Sequence, residues 1–140
     1  MAQDGIQSDL FEAPTASAPA PALILVDDDP ALLHALSFAF ETSGYDVRAY
    51  SDAEALLSDP WRPQSGACYI FDQKLPGRSG LALLQELRAR DVRAPAIIIT
   101  SNPSPALRNA ALQEGASIVE KPLLGGVLEE KVREALACAN

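Results

Sequence analysis

Apolar residues in this chain come in short blocks. Each block is followed by polar turn residues and then by apolar positions at helical spacing. Ala22 to Val26 is a continuous apolar run and predicts a first strand, β1. Behind it, Asp29-Pro30 is a helix start, an N-cap acid followed by proline at the first helical position. Leu32, Leu36 and Phe40, with Leu33 beside them, form the inward stripe of helix α1, which runs to about Ser43 and ends at Gly44. Asp46 to Tyr50 predicts β2, and its mixed polarity suits a sheet edge. Ser51-Asp52-Ala53-Glu54 reads as a capping box with Ser51 at the N-cap, opening a short helix, α2, with Leu56 and Leu57 inward.

A second cycle begins at Ala67. The apolar run to Phe71 predicts β3 and ends abruptly in a carboxylate, Asp72. A turn of Pro76, Gly77 and Gly80 follows, and Ser79 caps α3, whose Leu83, Leu84 and Leu87 face the sheet. Ala96 to Ile99 is the most apolar strand, β4, and belongs at the sheet centre; it leads into Thr100-Ser101-Asn102. Ser104-Pro105 opens α4, with Leu107, Ala110 and Ala111 inward and Gly115 at its end. Ser117 to Glu120 predicts β5, which runs into Lys121-Pro122. After Gly125-Gly126, α5 carries Leu128, Val132 and Leu136 on its inner face.

Strands alternating with helices in this way predict an α/β fold with a doubly wound, five-stranded parallel sheet, because parallel crossovers are almost always right-handed. The polar β2 belongs at an edge and β1, β3 and β4 inside, which the flavodoxin-like order 2-1-3-4-5 satisfies. The switch point of that order lies between β1 and β3. It places Asp27 and Asp28 beside Asp72, and the tips of β4 and β5 bring Thr100 and Lys121 to the same edge.

Composition narrows the picture. The chain has 140 residues, 48% of them apolar, which suits one domain of ordinary size. A formal net charge of −8 argues against direct nucleic-acid binding, which needs a basic face. Residues 1–21, rich in Ala, Pro and Ser, cannot bury a core and are expected to form a flexible tail; Ile6, Leu10 and Phe11 allow a short amphipathic turn as the alternative. There is no basic, then apolar, leader pattern and no run approaching the ~18–20 residues of a membrane span, so a cytoplasmic protein with no membrane partner is expected. Cys68 and Cys138 form no CxxC and read as reduced thiols. His34 lies off the apolar stripe of α1 and is expected to be a surface residue, and Trp61 to cover one end of the core.

The predicted edge carries three carboxylates, a hydroxyl and an ammonium. Carboxylates this close disfavour joint ionisation unless a cation offsets them. An oxygen-only pocket suits Mg2+, which takes one or two protein carboxylates and leaves positions for water and phosphate oxygens; zinc would want His or Cys. An Asp facing Mg2+, with Lys and Thr nearby, is equipped as a carboxylate nucleophile for phosphoryl transfer.

Together, Asp27-Asp28, Asp72, Leu75-Pro76-Gly77 with Gly80, Thr100 and Lys121-Pro122 resemble the receiver domain of bacterial two-component response regulators, over residues 22–139. That resemblance implies that Asp72 is the phospho-acceptor and that Mg2+ is held by Asp28 directly, Asp27 through water, Asp72, and the Lys74 carbonyl. It implies that Thr100 is the switch hydroxyl and Lys121 the phosphoryl contact. The donor would be the phosphohistidine of a sensor histidine kinase or a phosphotransfer protein, and output would pass to a downstream protein target on the α4–β5–α5 face. The receiver would catalyse its own phosphorylation and a slow autodephosphorylation, with Lys74 and Asn102 flanking the path of the attacking water. Two departures from the family pattern stand out. Ile118 replaces the aromatic often found three residues before the lysine, and Gly115 to Lys121 is one residue shorter than usual.

Three alternatives stand beside this reading. One is a pseudo-receiver that binds partners without phosphorylation, although none of its acids, its Thr or its Lys is missing. Another is the receiver piece of a longer transcriptional regulator. The third, a phosphatase of the haloacid-dehalogenase type, would want an acid two residues after Asp72, where Lys74 stands.

Overall fold

The computed structural model describes residues 20–63 and 66–138. The expected tail at 1–21 therefore lies almost wholly outside the described residues. Its last member, Pro21, already belongs to the sheet region, where its carbonyl accepts the Asp46 N–H at 2.9 Å.

Five parallel strands form the sheet in the order 2-1-3-4-5: β1 (Ala22–Val26), β2 (Asp46–Tyr50), β3 (Ala67–Asp72), β4 (Ala96–Thr100) and β5 (Ala116–Glu120). Strand β5 starts one residue earlier than the apolar pattern predicts, because Ala116 pairs with Ala96 and is buried there. Strands β1 and β3 are buried at every position, whereas β2 is largely exposed, as expected of inner and edge strands.

Alternation along the strands divides the core into two layers. Ile24, Tyr69, Phe71 and Ile98 point to one face and meet Leu83, Leu84 and Leu87 of α3 (Gly80–Ala89) and Ala111 of α4 (Pro105–Gln113). Leu23, Leu25, Ile70, Ile97 and Ile99 point to the other and meet Phe40 of α1 (Pro30–Thr42) with Leu128 and Val132 of α5 (Val127–Cys138). Trp61 packs at the margin of the first layer, with the Arg48 guanidinium 4.3 Å from its ring centroid.

Helix α2 (Ala53–Ser58) corrects one expectation. Its N-cap is Asp52, whose carboxylate accepts the Ala55 N–H at 2.8 Å, and Ser51 lies outside the helix. The shift of one residue releases Glu54 from any capping role, and it pairs instead with Arg78 at 2.8 Å. The sequence also gives no hint of a small antiparallel ladder, Lys74–Leu75 against Arg78–Ser79, that folds the β3–α3 loop back on itself. Cys68 is buried, Cys138 is exposed, and neither is in a disulfide. Among the described residues, no helix is long and apolar enough to cross a membrane.

Candidate functional site

Each side chain at the C-terminal edge of the sheet is delivered by a strand that ends there. Strand β1 ends at Val26, and the chain then turns into α1 under the control of two acids. Asp29 caps the helix by accepting the Ala31 and Leu32 N–H groups at 3.0 and 3.3 Å. Asp27 is buried, with Oδ1 accepting the Asp29 N–H at 2.9 Å. Asp28, between them, is exposed. Strand β3 ends in the buried Asp72, which pairs with Ile99 of β4. Asp27, Asp28 and Asp72 each offer a carboxylate oxygen within 4.8 Å of the others, an all-oxygen donor set of the kind a magnesium ion fits.

Opposite these acids, Lys121 at the end of β5 places Nζ 2.8 Å from Asp72 Oδ1. It is carried there by a backbone hydrogen bond from its N–H to the Thr100 carbonyl at 2.9 Å and is followed by a cis peptide bond to Pro122. A small cavity of about 30 Å³ is lined by Asp72, Gln73, Lys74, Thr100, Ser101 and Lys121. A wider groove lies beside it, lined by Asp29, Leu32, Ser101, Lys121, Pro122 and Leu123. Ser101 and Lys121 border both.

The electrostatics follow from crowding. Burial, chiefly, raises the Asp27 carboxyl above its ordinary range; Asp72 and Asp28 add to the rise, and the Asp29 N–H and Lys121 oppose it. Lys121 is held above the usual lysine range, first by its hydrogen bond to Asp72 and further by the charges of Asp72, Asp27 and Asp29, against a smaller effect of burial. One ammonium thus faces a cluster of carboxylates that its charge alone does not balance.

A profile of the response regulator receiver domain matches residues 23–133. The chain belongs to the response regulator receiver family. It is 35% identical over 113 residues to the transcriptional regulatory protein FixJ of Azorhizobium caulinodans, covering 80% of this chain and 53% of that protein. It is 33% identical over 115 residues to the C4-dicarboxylate transport transcriptional regulatory protein DctD of Pseudomonas aeruginosa, covering 81% of this chain and 25% of that protein. The chain thus spans about half of the first relative and a quarter of the second. Among solved structures, a CheY-like receiver domain protein from Methanospirillum hungatei superposes with a TM-score of 0.73 at 27% identity, over 84% of this chain and 94% of that one.

In this receiver domain, the predicted acceptor, metal, hydroxyl and lysine residues arrive at one edge: Asp27, Asp28, Asp72 and Lys121 by direct proximity, Thr100 and Lys74 as cavity-lining residues. Exposed Asn102 is not among those lining the cavity. Gln73 and Ser101, which do line it, escaped the sequence reading. Gln73 follows a buried strand as one more polar loop residue, and no spacing rule marks it.

The raised Asp27 carboxyl has a measurable consequence. A carboxyl raised in the folded state contributes most to stability below its unfolded value, and that contribution is lost as pH rises through the folded value. At neutral pH and without divalent metal, Asp27→Asn removes this penalty and keeps the oxygen that accepts the Asp29 N–H. The variant is expected to melt a few degrees higher than wild type, with the gap closing as pH falls into the carboxyl range, and to bind Mg2+ more weakly. Thermal melts across pH in EDTA check this; a variant less stable than wild type at neutral pH contradicts it.

Proposed function

We propose that this receiver accepts a phosphoryl group on Asp72 in a Mg2+-dependent step, with a sensor histidine kinase or a phosphotransfer protein as donor. The observation that carries the reading is the buried Asp72 carboxylate, 2.8 Å from Lys121 Nζ and within 4.8 Å of two further carboxylates. A carboxylate oxygen of Asp72 attacks phosphorus in line, the bond from phosphorus to the donor imidazole breaks, and the imidazole leaves and takes up a proton. Lys121 meets the developing charge on the phosphoryl oxygens, and Thr100 supplies a hydroxyl to the product. Asp28, Asp27, Asp72 and the Lys74 carbonyl would hold Mg2+, which when bound supplies charge neutralisation for the carboxylates and the phosphoryl oxygens.

The unit doing this is the receiver domain over residues 22–139, and the protein works in the cytoplasm. Product formation adds about −1.5 to −2 charge at the edge. Thr100 turns toward it, the α4–β5–α5 face shifts, and a downstream protein reads that face. Half-buried Ile118, which packs against the first core layer, fills the space that Thr100 vacates without a hydroxyl of its own.

The test is incubation with acetyl phosphate followed by intact mass. One added phosphoryl group with Mg2+ and none with EDTA supports the reading. No addition under either condition would leave a binding module that works without phosphorylation.

Lys74, two residues past Asp72 and exposed at the cavity, sets the lifetime of the product by lying across the phosphoryl oxygens and excluding water. Lys74→Ala is expected to dephosphorylate about three- to tenfold faster at unchanged Mg2+ affinity, an effect of ordinary ion-pair size. Decay of the phosphorylated mass after donor removal checks it, and an unchanged or longer half-life contradicts it.

A further inference from the structure

At the start of the β3–α3 loop, Gln73 ties the chain both to β4 and to the first turn of α3. Gln73 N–H donates to the Ile99 carbonyl at 2.9 Å, extending the β3–β4 ladder one step past Asp72. Its carbonyl accepts the Gly80 N–H at 3.0 Å, and its side-chain Oε1 accepts the Leu81 N–H at 3.0 Å. The first N–H groups of a helix have no partner within the helix. Here Gln73 supplies the partners of the first two in α3, and Ser79 Oγ takes the third, from Ala82, at 3.0 Å. Because an N–H faces the Gln73 amide, the atom there must be its oxygen. Lys74, whose carbonyl the reading above assigns to Mg2+, is the next residue, and both residues line the cavity at Asp72.

We propose that Gln73 is a positioning residue for metal binding, whose side-chain oxygen, by capping α3 at Leu81, holds the loop in the register that aims the Lys74 carbonyl at the carboxylate cluster. This rests on the proposed function, since it takes the Lys74 carbonyl as a metal ligand. Without the side-chain tie, the loop keeps its backbone bonds but gains freedom at the peptide that follows Gln73. Binding then has to order that peptide as well as dehydrate the ion.

The experiment uses the whole chain, stripped of metal, and MgCl2 as the probe. Mg2+ affinity is measured by titration calorimetry, and protection of the Leu81 amide by hydrogen exchange, for wild type, Gln73→Met and Gln73→Glu. Methionine keeps length and volume without an acceptor, whereas glutamate restores one. Gln73→Met is expected to expose the Leu81 amide to faster exchange and to weaken Mg2+ by about tenfold, the low end of what contacts supporting a metal ligand are worth. Gln73→Glu is expected to restore both. If Gln73→Met does not fold, Gln73→Asn, one methylene too short to reach Leu81, takes its place.

A purely structural role would change Leu81 exchange and leave Mg2+ affinity at the wild-type value, and that result overturns the proposal. Weakened Mg2+ binding that Gln73→Glu does not recover also overturns it. A wild-type chain that binds no Mg2+ would instead overturn the proposed function itself, so the two failures are distinguishable.

Discussion

Gly80→Ala is expected to destabilise the domain by about 2–3 kcal/mol, on the order of 10 °C in Tm, and to abolish Mg2+-dependent phosphorylation. A Cβ at Gly80 would stand 2.6 Å from the Asp72 carbonyl oxygen and 3.2 Å from both the Asp72 carbonyl carbon and Phe71 Cβ. All three belong to the end of β3, where Phe71 is paired on both sides and Asp72 is paired with Ile99 of β4, so the backbone has little room to retreat. Relief must come from moving α3 or the end of the strand that carries Asp72. Gly77, three residues earlier in the same loop, is the control. Its φ of +83° is left-handed, yet nothing lies within 4 Å of the position a Cβ would take. Gly77→Ala therefore bears only backbone strain, about 1 kcal/mol, and leaves the site in place. Thermal melts and intact-mass labelling of the two variants separate close approach from turn geometry. A Gly80→Ala protein as stable and as readily labelled as wild type would contradict the packing argument.

Asp72→Asn is expected to fold and to lose phosphorylation by about 10³-fold or more. The amide is nearly isosteric with the carboxylate it replaces, so the strand tip keeps its shape. Its oxygen is neutral, however, and no longer a competent nucleophile, and Lys121 loses the partner 2.8 Å away. Asp28→Asn offers the contrast, because exposed Asp28 adds charge and an oxygen that could hold a metal ion, while the proposed nucleophile is Asp72. Its labelling is expected to fall at low Mg2+ and to recover substantially at high Mg2+, whereas no amount of Mg2+ restores Asp72→Asn. Rates of acetyl phosphate labelling across a Mg2+ series check both, and labelling of Asp72→Asn at the wild-type rate contradicts the assignment.

Much of this arrangement could be read from the chain. Continuous apolar runs at Ala22–Val26 and Ala67–Phe71 mark strands buried on both faces, and the polar β2 marks an edge. Once the strand order is fixed, the residue after each apolar run must lie on one sheet edge, and this rule alone places Asp27, Asp72, Thr100 and Lys121 together. What escaped has a common cause. Asp52 rather than Ser51 caps α2 because a cap is decided by which backbone turns first, and two adjacent capping residues compete with near-equal propensity. Gln73 was invisible because its role depends on Leu81, eight residues away across a folded-back loop. Gly80 reads as a turn glycine, but it is required for its lack of a Cβ against the Asp72 carbonyl rather than for any unusual φ. Sequence periodicity reports the faces of regular elements, and these three features are individual contacts at the ends of those elements, where no period applies.

The most direct test of the account is to locate the covalent bond. After reaction with acetyl phosphate and Mg2+, borohydride cleaves an aspartyl phosphate to homoserine, and peptide mass spectrometry then places the altered residue. The account predicts homoserine at position 72 and nowhere else, only when Mg2+ was present. Homoserine at position 27 or 28, or an unaltered Asp72 in protein that carries the added phosphoryl mass, would contradict it.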